Sequence, residues 1–475
     1  MSNTDTQVLS DLLAQDATER TLTRKFYLAA WRWHFYAGLY VAPFLAMLAI
    51  TGLIMLWVSA IDGRDGEKIA VTPQGAQTSI LAQASAAQTA LHEGHVVEYI
   101  APNAADRAAV FRVDSGGEAM MVAVDPYTAE VLDIWNRQAG WYDFASDIHG
   151  TLLIGDLGDR LIEIAAGFGI VLIVTGLYLW WPRDGQRPGK ALRPDFGARG
   201  RSFWKSLHKT TGLYTALILL VFLISGLSWA GVWGEKFVQA WSTFPAEKWD
   251  NVPLSDKTHA SLNHGAIKDV PWALEQTPLP ASGSDAGRAG LPASGPFNLD
   301  EIVAFGRSLG YEGRFRVATP RGDTGVWTLA QDSMSNDSTD PASDRTVHID
   351  QYTGNILADV GFADYSPAGK AMAVGIAFHE GDMGLWNLVL NTVFCLSVIF
   401  LSVSGLVMWW MRRPSRALRL AAPPLPANLP LWKGAVVVML LVSLLFPLVG
   451  ITLLALLAFD VLVIQRVKPL ARLLA

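Results

Sequence analysis

The sequence predicts an all-α membrane bundle, four core spans and a C-terminal hairpin, that carries two periplasmic α+β modules and arises by internal duplication. Three observations predict it. Six apolar stretches punctuate the chain, every cluster of Lys and Arg falls on one face of the topology they imply, and the two long segments between them contain the same sentence. The composition agrees: of 475 residues 51% are apolar and 17% charged, and mean hydropathy is +0.27, unlike an ordinary soluble domain.

The apolar cores are 35–58, 160–181, 209–230 and 386–411, each long enough to cross the bilayer, which takes about 20 residues. Two shorter ones, 433–448 and 450–465, meet at Pro447 and read as a tight hairpin, with one long kinked segment as the alternative. Arg20, Arg24, Lys25 and Arg32 precede the first span, and Arg183, Arg187, Lys190, Arg193, Arg199, Arg201 and Lys205 follow the second. Arg412, Arg413, Arg416 and Arg419 follow the fourth, and Arg466, Lys468 and Arg472 the sixth. By the positive-inside bias all of these are cytoplasmic, as are both termini. Trp57, Trp180, Trp181, Trp409 and Trp410 at span ends fit an interfacial aromatic belt. Val58-Ser59-Ala60 has the small residues of a signal cleavage site, but the apolar run before it is too long for a signal peptide, so the first span reads as an uncleaved anchor.

The resulting order is a cytoplasmic tail (1–30), first span (31–60), periplasmic module (61–145), second span (146–182), basic loop (183–204) and third span (205–232). A second module (233–378) with a Pro/Gly/Ser/Ala-rich linker (276–296), fourth span (379–412), loop (413–431) and hairpin (432–466) complete it. Each module has a helical stretch, 78–91 or 298–309 with Asn298 as N-cap, followed by alternating strands. Asp125-Pro126-Tyr127-Thr128-Ala129-Glu130-Val131-Leu132 answers Asp350-Gln351-Tyr352-Thr353-Gly354-Asn355-Ile356-Leu357, each reading as strand, tight turn, strand. The spans repeat as well: Trp31-x2-His34-x3-Gly38-Leu39-Tyr40 answers Trp204-x3-His208-x3-Gly212-Leu213-Tyr214. A Thr/Ser-Gly-Leu triplet recurs at Thr51-Gly52-Leu53, Thr175-Gly176-Leu177, Ser225-Gly226-Leu227 and Ser404-Gly405-Leu406.

Four of nine histidines stand at span ends, His34 and His208 on the cytoplasmic side and His149 and His379 on the periplasmic side. Imidazole at membrane depth is a functional candidate, and neutral imidazole is a standard axial ligand of haem iron. Two imidazoles from facing helices can clamp one flat macrocycle, so the two pairs predict two bis-histidine haems. Gly38 and Gly212 lie four residues after their histidines, on the same helix face, where a missing Cβ leaves room for a porphyrin. In an antiparallel bundle Gly176 and Gly405 reach the same level, and Gly52 and Gly226 reach the periplasmic one. Glycine beside a small residue is also an ordinary packing device in membranes, and a lone histidine at a span end is also an ordinary interfacial residue. Four histidines in two pairs with repeated glycine spacing favour ligation.

Other chemistry is scarce. Cys395, the one cysteine, lies in an apolar run, which excludes intrachain disulfides and Cys-ligated clusters, and without C-x-x-C-H a haem is held non-covalently. The net charge of −6 and the absence of a basic surface exclude nucleic acid as a partner. No dinucleotide fingerprint or Walker lysine occurs, so electrons come from an external donor. His92, His95, His259, His264 and His348 fall in the modules, and His92-x2-His95 reads as a metal pair or as surface histidines.

The chain resembles the PepSY-associated transmembrane family, most closely its iron–siderophore reductase branch. The resemblance is carried by Trp31-Arg32-Trp33-His34-Phe35-Tyr36-Ala37-Gly38-Leu39-Tyr40, the two Asp-x-Tyr-Thr-x-x-x-Leu hairpins, Ile148-His149-Gly150, Leu207-His208-Lys209-Thr210-Thr211-Gly212 and the Gly-Leu-x-x-Trp-Trp endings at 176–181 and 405–410. His379-Glu380-Gly381 departs from it, because a small residue or Thr is expected after the histidine. The resemblance implies a bacterial inner-membrane reductase with two b-type haems, passing electrons from a quinol, flavin or flavoprotein to a periplasmic ferric siderophore or other ferric chelate and releasing Fe(II). Two other classes stand beside it. A haem-free, membrane-anchored binding or regulatory protein gives no reason for two matched histidine pairs. A transporter of iron or chelate fits the repeats, but apart from Glu163 near a span end the spans lack acidic residues for an ion path.

Overall fold

The structure is a computed structural model that describes residues 3–183, 188–263, 268–292, 295–413, 420–424, 433–464 and 466–467. Arg187, His264, Arg416, Arg419, Lys468 and Arg472, named above, lie outside them.

Four helices are long and apolar enough to cross a membrane: Leu22–Ile61, Asp156–Trp180, Arg201–Leu227 and Leu385–Arg412. The shortest has 25 residues, roughly 37 Å at the α-helical rise, against about 30 Å of hydrocarbon. A helix satisfies its backbone groups within its own segment, as a lipid environment demands. The protein is therefore a multi-pass membrane protein. The first span is the end of a longer helix, Asn3–Ile61. Residues expected as a tail continue the span, because no Gly or Pro precedes Gly38 to stop the helix.

Two further apolar helices, Lys433–Leu445 and Pro447–Phe459, are shorter. Pro447 has no N–H to continue the first of them, and the chain turns so sharply that a Cβ on Gly450 would lie 3.0 Å from Ser443 Cβ. Val442, Phe446, Val449 and Leu453 from this pair pack with Ala37, Val41, Phe168 and Val171 of the first two spans. Trp233 Nε1 donates to the Leu445 carbonyl at 2.9 Å.

The expected second and fourth spans, 146–182 and 379–412, are each divided in two. A helix Trp141–Thr151 stops before the span Asp156–Trp180, and Leu152, Leu153 and Gly155 between them take positive φ of 53°, 61° and 60°. The turn closes so tightly that a Cβ on Gly158 would lie 1.7 Å from the Thr151 carbonyl oxygen, so only glycine fits. A helix Pro367–Glu380 likewise ends at Gly381, left-handed at φ 90°, before the span Leu385–Arg412. His149 and His379 therefore ride on short helices that precede the spans.

The chain divides into two compact units, and the second, Thr51–His149 with Gly234–Thr392, is built on an eight-stranded antiparallel sheet in the order β10-β9-β8-β7-β1-β2-β3-β4. Its first half is β1 (His95–Ile100), β2 (Ala109–Ser115), β3 (Glu118–Val124) and β4 (Val131–Asn136). A separate ribbon pairs β5 (Leu254–Thr258) with β6 (Pro278–Pro280). The second half is β7 (Arg316–Ala318), β8 (Val326–Gln331), β9 (Arg345–Asp350) and β10 (Ile356–Gly361). The halves join edge to edge through β1 and β7, with Tyr99 opposite Val317. This pairing removes two exposed edges that would otherwise recruit other strands.

Each half is preceded by a helix, Ile80–Thr89 or Leu299–Ser308. Ser79 caps the first through Ala82 N, and Asn298 and Glu301 form a reciprocal capping box on the second. Phe111, Val113, Val122 and Val124 meet Phe315, Val317, Leu329, Val347 and Ile349 in one core with these helices, as the period-2 alternation of strands requires. The shared Asp-x-Tyr-Thr sentence works identically in both hairpins. Asp125 Oδ1 accepts from Tyr127 N at 2.8 Å and Asp350 Oδ1 from Tyr352 N at 2.8 Å, an Asx-turn in each. Both tyrosine hydroxyls then donate to a carbonyl, of Ala105 and of Asp323. The run 276–296, expected as a linker, is tied down instead: Gly283 N donates to Asp350 Oδ2, and Leu291 N and Gly295 N donate to carbonyls of the second hairpin, those of Gly354 and Tyr352. Its Pro and Gly content reflects close backbone approach to β10 and its turn.

Candidate functional site

His34 lies on the first span and His208 on the third, within electrostatic range of one another. His34 Nδ1 is 2.9 Å from Thr175 Oγ1, and His208 Nδ1 is 2.8 Å from Ser404 Oγ. Each hydroxyl already donates its one proton, Thr175 to the Val171 carbonyl at 2.7 Å and Ser404 to the Leu401 carbonyl at 3.1 Å. Each must therefore accept from the imidazole, which assigns the proton to Nδ1 and leaves the Nε2 lone pair uncommitted. Gly176 and Gly405 follow these two hydroxyls and admit the rings: a Cβ there would lie 3.2 Å from His34 Cε1 and 3.7 Å from His208 Cε1. Gly38 and Gly212 are roomier, with Leu172 and Leu401 at ordinary contact distance, 3.8 and 3.6 Å, from a Cβ.

In the other unit His149 Nδ1 is 2.9 Å from Thr51 Oγ1, so a third histidine engages the hydroxyl of a Thr/Ser-Gly-Leu triplet; Gly52 follows that threonine. Gly226 lies in the corresponding triplet of the third span, after Ser225. The His149 and His379 rings face one another with centroids 6.2 Å apart and planes 81° apart. Two imidazole nitrogens each about 2 Å from one shared metal put ring centres roughly 6 Å apart. The donor set, the His34 and His208 tautomers held by the Thr175 and Ser404 hydroxyls, and this separation all fit axial ligation of haem.

The helix that carries His379 is held by two amides that sequence reasoning missed. Asn391 Nδ2 donates to the Phe378 and His379 carbonyls at 2.7 and 3.1 Å, and Asn387 Nδ2 donates to the Phe378 carbonyl at 3.0 Å. Both asparagines are buried. Arg64 ties the two histidine helices together: it bonds Tyr142 of the first at 3.1 Å, and Glu380 and Asp382 at the end of the second at 3.1 Å each. Burial opposes the charge on Arg64, but Asp382, Tyr142 and Glu380 hold its pKa well above the ordinary value. Burial, with Glu380 alongside, raises that of Asp382. The residues after His379 that depart from the family pattern are thus the acidic partners of Arg64. The signals were present, since all four triplets begin with a hydroxyl and Arg64 stands directly after a span, but nothing in one sequence pairs them with their partners.

The remaining histidines do other work. His92 and His95 are exposed, and among the described residues no group of three or more His, Cys, Asp or Glu is arranged to hold a metal ion. His259 and His348 are buried, with Nε2 atoms 2.9 Å apart. His259 Nδ1 donates to the Thr277 carbonyl at 2.7 Å, so its Nε2 accepts from His348, whose Nδ1 accepts from Thr328 Oγ1 at 3.0 Å. Every polar atom of this neutral pair is satisfied, and burial lowers the pKa of His259 to about 4.

No curated protein matches the chain. The family described as PepSY-associated TM region matches residues 31–412, the stretch that runs from within the first span to the end of the fourth and holds both halves of the sheet and His34, His149, His208 and His379, and the chain belongs to that family.

Proposed function

We propose that this protein is a bacterial inner-membrane di-haem oxidoreductase that passes electrons from the cytoplasmic side or the quinol pool to a ferric siderophore or other ferric chelate in the periplasm. The observation that carries this reading is the imidazole geometry: three histidine Nδ1 atoms held by triplet hydroxyls, and the rings of His149 and His379 centred 6.2 Å apart. His34 with His208, and His149 with His379, would hold one b-type haem each. Bound there, haem supplies reversible one-electron transfer at a potential set by axial ligands, hydrogen bonds and burial.

The chain's own contribution is placement. Thr175 and Ser404 hold the Nδ1 protons of His34 and His208, which directs each Nε2 lone pair and increases its basicity, and Thr51 holds the His149 ring at Nδ1. Arg64, Asn387 and Asn391 hold the helices that carry the second pair. The basic loops support a cytoplasmic location for the His34 and His208 end. We read the repeated order of span, helix, four strands and span as an internal duplication, which accounts for one histidine pair at each end. Reduction of the ferric chelate converts Fe(III) to Fe(II), for which hard oxygen donors are poorer ligands, and so favours release.

The test is a reduced-minus-oxidised optical spectrum of the detergent-purified protein with haem stoichiometry, repeated for His34→Ala and His379→Ala. Two low-spin b-type haems per chain, with one lost in each variant, are expected. A colourless wild-type protein prepared with haem available rejects the reading and leaves the binding-protein alternative.

A further inference from the structure

Two arginines converge at the end of the bundle where His34 and His208 lie. Arg201 is the first residue of the third span's helix, Arg201–Leu227, and Arg412 the last of the fourth's, Leu385–Arg412. They are within electrostatic range of one another, and both meet Trp31 of the first span. The guanidinium carbon of Arg201 lies 5.9 Å from the centre of the Trp31 ring; that of Arg412 lies 5.2 Å from it and 4.9 Å from the centre of the Phe35 ring. A guanidinium offers a planar fork of N–H donors. Arg201 engages the Met408 carbonyl through Nε at 3.4 Å and Arg412 the Ala421 carbonyl through Nη2 at 2.5 Å. Among the described residues neither has a carboxylate within ion-pair distance. Both are only half-buried, so their remaining donors are accessible, and two like charges side by side repel unless an anion joins them.

Helix periodicity places them relative to the histidines. Arg201 and His208 are seven residues apart, so at about 100° per residue they share one face of the third span, with Arg201 about 10 Å nearer its start. On the first span Trp31 and Phe35 lie about 60° and 100° around the helix from His34, whereas Arg32 lies about 160° away. Arg32 is engaged there by the Pro423 carbonyl at 2.7 Å and the Tyr36 hydroxyl at 2.9 Å. Arg412 therefore stands beside the turn that carries His34, and Arg201 on the His208 face of the third span. The positive-inside bias accounts for arginines at this end as a class, but not for two of them converging from different helices on one tryptophan.

We propose that Arg201 and Arg412 form an anion site that takes the propionate carboxylates of the haem held by His34 and His208. The inference rests on the di-haem reading and adds to it which way round the cofactor is held, with its propionate edge toward Arg201 and Arg412. Haem carries both propionates on one edge of an otherwise apolar ring, and a carboxylate that leaves water is costly unless a charge meets it. Two carboxylates match two guanidiniums in charge, and the fork of arginine matches a carboxylate bidentately.

The test uses the full-length His379→Ala protein, which keeps the His34 and His208 pair. Its apoprotein is titrated with haem and with haem dimethyl ester, which has the same ring and iron but no carboxylate, and binding is read from the low-spin Soret band. Haem is expected to bind at least about tenfold more tightly than the ester, the loss expected for one charge-assisted hydrogen bond. Arg201→Gln with Arg412→Gln is expected to shrink that preference to about twofold or less by weakening haem and not ester, as a double-mutant cycle requires of groups in contact. Equal affinity for haem and ester, in this protein or at both pairs of the wild type, overturns the proposal without any arginine variant, so a variant that fails to fold does not blunt the test. A preference for haem that survives both substitutions also overturns it, and leaves the arginines to the phosphate of an anionic lipid headgroup. Binding of neither porphyrin by the wild-type protein rejects the di-haem reading as well, an outcome that the wild-type haem count separates from failure of this proposal alone.

Discussion

At the scale of single residues, the hydroxyls of Thr175 and Ser404, each standing before a triplet glycine, do more than line a packing groove. Thr175 and Ser404 each spend their proton on the carbonyl of a residue three or four positions earlier and accept from an imidazole of another span. A helix supplies that carbonyl automatically, so a Thr or Ser at such a position is a fixed acceptor. Replacing Thr175 by Val, or Ser404 by Ala, keeps the shape and removes the acceptor. Loss of a hydrogen-bond partner on the far nitrogen of a metal-bound imidazole typically costs about 10–100-fold in metal affinity. Each variant is therefore expected to bind haem 10–100-fold more weakly at the His34 and His208 pair alone, measured by titrating the apoprotein with haem. Unchanged affinity would show that the hydroxyls only pack.

At the scale of elements, the helices bearing His149 and His379 are short, with 11 and 14 residues, and isolated helices of that length are marginal in water. Their positions come from side chains at their ends, chiefly Arg64, Asn387 and Asn391. The Arg64 and Asp382 side chains are nearly buried, 9% and 4% exposed, and removing one partner of a buried ion pair leaves the other uncompensated. Arg64→Met is expected to destabilise the protein by about 3–5 kcal/mol, read from chemical denaturation, and to disturb the spectrum of the haem proposed for His149 and His379 before that of the haem proposed for the other pair. A spectrum altered equally at both pairs would place the effect in the whole fold. In the sequence these helices merge with the spans that follow, because Leu152 and Leu153 prolong an apolar run. Only the positive φ of both leucines breaks it, and that is imposed by the tight approach of Thr151 to Gly158.

At the scale of the whole molecule, basic clusters on one face and six apolar segments predict that both termini share one side. Reporters fused before Met1 and after Ala475 are expected to register as cytoplasmic, and one inserted at the exposed Gly116–Gly117 turn as periplasmic. A reporter at 475 that registers as periplasmic would mean that the two short helices cross only once. The edge pairing of β1 with β7 makes the two sheet halves one cooperative unit. No local pattern announces that pairing, since β7 has only three residues and its partner lies more than 200 residues away.

What the sequence determined by itself was whatever rests on periodicity, length and local hydrogen bonding. The spans follow from runs of apolar residues, the start of the second module's helix from Asn298 and the hairpins from Asp125 and Asp350, and the repeated spacing singles out His34 and His208. What only the tertiary structure decided was which distant groups meet. It set Thr175 opposite His34, Ser404 opposite His208, Arg64 between two histidine helices, and Arg201 and Arg412 against Trp31. Such contacts depend on how helices and strands pack in three dimensions, and a short range of sequence carries no record of that.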